Sequence, residues 1–166
     1  MKSIAWVSDS RSVVRAFPDE ARQRAGRQLA RVQDGLEPDD WKPMPSVGIG
    51  AREIRVHARG EKDMTERMKI ERSSGNVFRD IGFRPARAHN LLLRSEMMTR
   101  IEQFVKRSDL TQKDAARLLG ITQPRLNDLL KGRIDKFSLD ALVNMLGHAK
   151  LRVEIKIKKM PLRKAA

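Results

Sequence analysis

The spacing of hydrophobic positions changes several times along the chain, and each change predicts an element. SIAWV (3–7) is a short branched and aromatic run, which predicts a strand; Ser8–Ser12 is turn-like. Pro18 suits a first helical turn, and DEARQRAGRQLARVQDG predicts a helix that stops at Gly35. GLEPDDWKPMPSVGIG (35–50) is dense in Pro and Gly and predicts a loop. AREIRVHAR (51–59) alternates, with Ile54 and Val56 on one face of a second predicted strand. GEKDMTERMKIERSSG (60–75) is charged and nearly without core positions, so the main boundary is placed there.

From Asn76 the period becomes helical. NVFRDIGF reads as a short amphipathic turn, and Pro85 opens a helix reaching Arg107. In that helix Leu93, Met97, Ile101, Phe104 and Val105 recur at spacings of three and four, which predicts its buried stripe. Ser138 can cap a later helix, LDALVNMLGH, which Gly147 helps to end. LRVEIKIKK then alternates strictly: Leu151, Val153, Ile155 and Ile157 lie on one face and charged residues on the other. That pattern predicts a half-buried strand over 150–158. An edge strand of this kind is a template for pairing, either with its twin in a two-fold dimer or within the chain with SIAWV or AREIRV. Dimer pairing is the favoured expectation.

Between these helices lies TQKDAARLLGITQPRLNDLLKG (111–132). Thr111 and Asp114 have capping-box spacing, and Ala116 is small enough to let a second helix cross closely. Gly120 can take the left-handed conformation that a three-residue reversal requires. Ile121 plugs the corner, Thr122 caps the next helix, and Pro124 falls in its first turn, where a missing N–H costs nothing. Leu126, Leu129 and Leu130 return to the core. The prediction is a rigid elbow between two crossing helices, with Gln123, Arg125, Asn127, Asp128 and Lys131 left on the outer face. Gln and Asn donate and accept together, as bidentate reading of adenine requires, while Arg pairs with guanine or phosphate.

Composition sharpens this. The 166 residues carry 35 Lys/Arg against 21 Asp/Glu, a net charge of +14. Residues 1–63 hold 12 basic against 10 acidic side chains, whereas residues 64–166 hold 23 against 11. The basic excess sits with the two-helix elbow and points to a polyanion partner. A membrane surface fits less well, because the cations are spread over several elements; composition alone does not separate DNA from RNA. The chain has no Cys, so disulfides, thiolate metal sites and a cysteine nucleophile are excluded, and its three His are scattered. No transmembrane span or secretory signal is expected. The expectation is a soluble cytoplasmic protein without a cofactor or metal.

LTQKDAARLLGITQPRLNDLLKG resembles the helix-turn-helix of the Xre/Cro/HigA family, and with FSLDALVNML and the terminal strand it is similar to the HigA-type antitoxin branch. SSGNVFRDIGF resembles the opening segment of such antitoxins. The resemblance implies a five-helix-like domain that binds double-stranded operator DNA as a homodimer, with half-sites about 34 Å apart. It places Gln112 and Thr122 at phosphates, Gln123 and Asn127 at base edges, and Arg125 at phosphate or guanine. Lys131 and Arg133 complete the candidate DNA-binding set. Pro124 and Asp128 depart from the common base-reading choices, and Asp128 is expected either to fix Arg125 or to limit promiscuity.

SIAWVSDSRSVVRAFPDEARQRAG and GIGAREIRVHARGE resemble the first strand, helical hairpin and second strand of HigB-type toxins of the RelE superfamily, ribosome-dependent mRNA endonucleases. The resemblance stops there, and the chain has no Tyr. Metal-free RNA cleavage needs a general base, a general acid and a charge clamp; Arg52, Arg55 and His57 offer only part of that set. The expected fold class is therefore α+β, a partial RelE-like α/β module followed by an all-helical Cro/C1-type domain with a C-terminal strand. The expected division is a truncated toxin segment (1–63), a charged linker and arm (64–89), the DNA-binding domain (90–158) and a basic tail (159–166). The expected function is a non-enzymatic repressor or antitoxin of a toxin–antitoxin locus. Alternatives are an mRNA endonuclease variant and a scaffold that holds an intact HigB-type toxin.

Overall fold

Helical segments from the two halves of the chain meet across one long helix in the computed structural model. It describes residues 4–39, 41–43, 52–54, 70–154 and 156, with only the backbone for 52–53 and 70–72. The elements in order are β1 (Ala5–Val7), α1 (Ser10–Ala16), α2 (Asp19–Gln33), β2 (Trp41–Pro43), β3 (Arg52–Ile54), β4 (Ile70–Arg72), α3 (Val77–Asp80), α4 (Pro85–Arg107), α5 (Gln112–Leu118), α6 (Gln123–Leu130), a 3₁₀ turn (Ile134–Lys136) and α7 (Leu139–His148). β1 pairs antiparallel with β4, Trp6 opposite Glu71, and β2 pairs antiparallel with β3, Lys42 opposite Glu53.

Most elements lie where the hydrophobic period put them, and the exceptions have physical causes. Ser8–Ser12 is not a turn throughout: Ser8 takes a positive φ of 58°, and α1 starts two residues later. Segment 35–50 holds β2, a strand that takes its order from pairing with β3 rather than from alternation. Of the predicted strand 51–59, residues 52–54 form β3 and the rest lies outside the described residues. β4 comes from the charged stretch 60–75 and exists because β1 offers it a partner. The boundary at Met64 lies outside the described residues.

The segment assigned as a linker and arm, 64–89, supplies much of the core. Asn76 caps α3 by accepting from the backbone N–H of Phe78 and Arg79. Val77, Phe78 and Ile81 are fully buried, and Phe83 nearly so. They join one apolar cluster that takes Trp6 and Ala30 from the N-terminal half and Leu91, Met98, Ile101, Leu119, Leu126, Leu129, Leu142 and Leu146 from the rest. Burying each large aliphatic or aromatic side chain contributes about 1.5–3 kcal/mol.

The buried stripe of α4 also differs from the prediction. Leu93, Met97, Phe104 and Val105 are half-buried, and the deepest positions are Ala88, Leu91, Ser95, Met98, Thr99, Ile101 and Glu102. Three of these are polar, and α2 brings two arginines against two of them, the Ser95 carbonyl and the Glu102 carboxylate. Arg27 is fully buried; its Nη1 donates to the Ser95 carbonyl at 3.1 Å and its Nη2 lies 3.2 Å from Glu102. Arg31 also pairs with Glu102, and its Nε lies 3.1 Å from Asp39. Gln28 donates to Asp39 at 3.0 Å and accepts from its backbone N–H at 2.7 Å. Burial pushes the Asp39 carboxyl up despite both guanidiniums, and burial likewise lowers Arg27. α2 also packs closely on α3: an added Cβ on Gly26 would sit 2.5 Å from the Phe78 ring.

The end of the chain departs most from expectation. α7 runs past Gly147 to His148, and the reversal falls on Lys150, whose φ is 57°. Lys150 donates its N–H to Gly147 and Leu151 to Leu146, so two terminal carbonyls are satisfied without glycine in the left-handed position. The predicted strand 150–158 is not formed at 150–154 or at 156; residues 155, 157 and 158 lie outside the described residues. Leu151 is 40% exposed and Val153 packs only partly against the core. Alternation gives a strand its faces but not its hydrogen bonds, and among the described residues no neighbour supplies them. Among these residues no helix is long and apolar enough to cross a membrane, and no group of His, Asp and Glu is arranged to hold a metal.

Candidate nucleic-acid interface

The elbow between α5 and α6 is built as its residues dictate. Thr111 caps α5, accepting from the Asp114 N–H at 3.2 Å and donating its hydroxyl to the Asp114 carboxylate at 2.6 Å. Ala115 and Ala116 are buried, letting α6 approach closely. Gly120 then turns left-handed at φ 69°, and Ile121 donates back to the Ala116 carbonyl at 3.0 Å. An added Cβ at Gly120 would meet the His148 ring at 3.1 Å, so two constraints select glycine. Thr122 caps α6 through the Arg125 N–H at 3.4 Å, and Pro124 sits in the first turn. Leu126 and Leu129 are fully buried and fix the roll of α6 about its axis.

That roll decides what α6 presents. Gln123 and Lys131 are exposed and Asn127 between them is half-buried; at spacings of four they share one face. Thr122 and Gln112 are exposed at the starts of α6 and α5. Five of the seven candidate residues are thus held by one rigid elbow, each on or beside its outer surface.

The other two candidates are tied to the protein itself. Arg125 is exposed but lies over the Phe137 ring, 5.1 Å from its centroid, with Nη2 3.4 Å from the Lys136 carbonyl. Arg133 is half-buried and donates to Asp128 at 2.7 Å. Asp128 also receives Lys136 at 2.7 Å. Hydrogen bonds from Lys136, then the charges of Lys136 and Arg133, hold its carboxyl below the ordinary carboxylate value. Asp128 therefore fixes Arg133 and Lys136; of the alternatives drawn from the sequence, fixing Arg125 is corrected. The carboxylate also lowers the net positive charge at the C-terminal end of α6, leaving its N-terminal half and Lys131 as the more attractive part for a phosphate.

The 3₁₀ turn after α6 contributes two residues absent from the predicted set. Phe137 is buried and supplies the ring beneath Arg125, while its carbonyl accepts from Arg94 of α4 at 2.8 Å. Lys136 brings a cation next to α6. A lone aromatic just ahead of the cap Ser138 was the available signal, but nothing local tells that an arginine 12 residues earlier folds over it. Arg52 lies on β3 with only its backbone described, and Arg55 and His57 lie outside the described residues.

Residues 77–158 match the family model of a helix-turn-helix domain. The match begins at α3 rather than at residue 90, in keeping with the core position of Val77 and Phe78. A search of curated proteins finds no match for the chain. The domain match, the elbow and the basic excess of this half support a DNA-binding regulator, with seven helices and few strands among the described residues.

Proposed function

We propose that the protein is a sequence-specific repressor of the HigA/Xre type that binds operator DNA as a homodimer and regulates a toxin–antitoxin locus, with no catalytic step of its own. The observation that carries the reading is the shared outer face of α6, where Gln123, Asn127 and Lys131 are held by a leucine-backed helix. In this reading Gln123 and Asn127 meet base edges in the major groove, while Gln112, Thr122, Lys131 and Arg133 meet the backbone. Arg125, braced on Phe137, reaches phosphate or guanine. Fixing a guanidinium before binding reduces the ordering cost of the complex.

The homodimer is supported by the exposed Leu151, which lines a groove with Phe104 and Arg107 at the end of α4. A two-fold partner there would also give the alternating residues 151–154 a strand to pair with. A HigB-type toxin is the proposed further partner.

Gel-shift titration on DNA upstream of the protein's own coding sequence tests the reading. Retarded complexes are expected at concentrations that leave random duplex free, with affinity falling steeply as salt rises. Equal affinity for both duplexes would reject sequence-specific repression. Sedimentation of a chain cut before Lys150 tests the assembly: a monomer is expected, and a persisting dimer would remove the terminal segment from the interface.

A further inference from the structure

A chain of arginines runs from the flank of α6, along α4, to the helical hairpin α1–α2. Arg125 lies over Phe137, whose carbonyl takes Arg94 at 2.8 Å. Seven residues earlier on α4, about 10.5 Å along the axis and on nearly the same face, is Arg87. Arg87 and Arg22 both lie over the Phe83 ring, 5.1 and 4.3 Å from its centroid. An added Cβ at Gly82 would meet Arg15 at 3.4 Å and Arg22 at 3.7 Å, so these two share the next step. Arg15 and Arg11 both donate to the Asp80 carbonyl, at 2.8 and 2.9 Å.

The partners of these guanidiniums are informative. Arg22 and Arg87 share one carboxylate, Asp19. Arg15 and Arg94 are oriented by backbone carbonyls, and Arg22, Arg87 and Arg125 by aromatic rings. Carbonyl dipoles and ring faces orient a guanidinium without neutralising it, so the carboxylates beside the row, Asp19 and Asp80, offset only part of its charge and leave a net positive strip for an anion. Phosphates recur at short, regular intervals along each DNA strand, so cations spread along α4 and the hairpin can meet several of them at once.

We infer that the hairpin α1–α2 and the start of α4 form a second backbone-binding surface, which takes the phosphates of duplex DNA flanking the site read by α6. The inference rests on the proposed reading of DNA by α6 and gives the N-terminal half a role in it: lengthening the footprint without reading sequence. Such contacts add affinity and salt dependence but no base preference.

The test compares two duplexes that share the core protected in footprinting of the upstream DNA, one trimmed to the core and one carrying ten or so further base pairs on each side. Affinity is measured against salt concentration for the full-length protein. The flanked duplex is expected to give a steeper dependence, by about 0.9 in log–log slope for each arginine engaged. The Arg15→Gln/Arg87→Gln protein is expected to lose that increment while binding the trimmed duplex as before, with circular dichroism confirming an intact fold. The Gln123→Ala protein is expected to lose sequence preference and keep the increment. Equal slopes of the unaltered protein on the two duplexes would overturn this inference alone and need no variant. Failure of that protein to bind either duplex would overturn both the inference and the reading of α6. An increment that survives Arg15→Gln/Arg87→Gln would move the flanking contact away from these arginines.

Discussion

The two sides of α4 hold their neighbours by opposite chemistry. Toward α6 and α7 the contacts are aliphatic: Leu126, Leu129 and Leu142 are buried without a polar atom among their side chains. Toward α2 the contact is built on Arg27, Arg31, Asp39 and Glu102. An aliphatic contact tolerates changes of salt and pH and is loose about angle. A buried ionic cluster stabilises little relative to apolar packing but is strict about geometry, because any partner left unpaired is costly. The elbow that carries Gln123 is thus held by contacts indifferent to solution conditions, and the N-terminal hairpin by contacts that are not.

The strongest way to break this contrast is Glu102→Gln. It leaves Arg27 and Arg31 buried with Asp39 as their shared carboxylate, and a loss of about 3–5 kcal/mol is expected in denaturant unfolding. A loss below about 1 kcal/mol would mean that the cluster is hydrated and that the contrast is overstated.

Acid sharpens it next. Asp80 joins α3 to the end of β4, accepting from the Ser73 hydroxyl at 2.5 Å and the Ser74 N–H at 3.1 Å. Burial pushes its carboxyl up, but the hydrogen bonds from Ser73 and Ser74 and the charge of Arg11 outweigh it and hold the group below the ordinary 3.8. Its folded value lies below its unfolded one, so its contribution is complete above about pH 4 and lost as pH falls through the folded value. Asp80→Asn should cost on the order of 1.5–3 kcal/mol at neutral pH and flatten the acid limb of a stability–pH curve. An unchanged acid limb would remove Asp80 from that role.

Gly26→Ala asks whether the hairpin contact is as tight as its geometry implies. Alanine favours helix by up to about 1 kcal/mol, whereas overpacking costs about 1–3 kcal/mol. With the Phe78 ring at 2.5 Å from the added carbon, a net loss in thermal unfolding is expected; stabilisation would show that the ring yields freely. The smallest effect is Thr122→Ala, which removes one cap from α6 at about 1 kcal/mol and leaves the hairpin untouched. A larger loss would mean that Thr122 supports more than its own helix.

The same contrast explains what the sequence disclosed. The elbow was legible in full, because each of Thr111, Ala116, Gly120, Thr122 and Leu126 performs a local task that its chemistry announces. The inner face of α4 was not, since Ser95 and Glu102 become core positions only when the arginines of α2 arrive from about 70 residues away. β4 and α3 were missed for a related reason: a charged run becomes a strand once β1 pairs with it, and a four-residue helix is too short to show a period. At the candidate interface the exposed positions of Gln123 and Lys131 followed from helical spacing. The diversion of Arg133 to Asp128, and the bracing of Arg125 on Phe137, depend on a turn whose path no spacing rule fixes.

Binding of the Gln123→Ala protein to upstream and random duplexes, side by side, tests the central claim most directly. A base-reading Gln123 predicts a loss of roughly 1–3 kcal/mol on the upstream duplex and almost none on the random one. Equal losses on both, or no loss on either, would contradict the claim that the outer face of α6 reads DNA sequence.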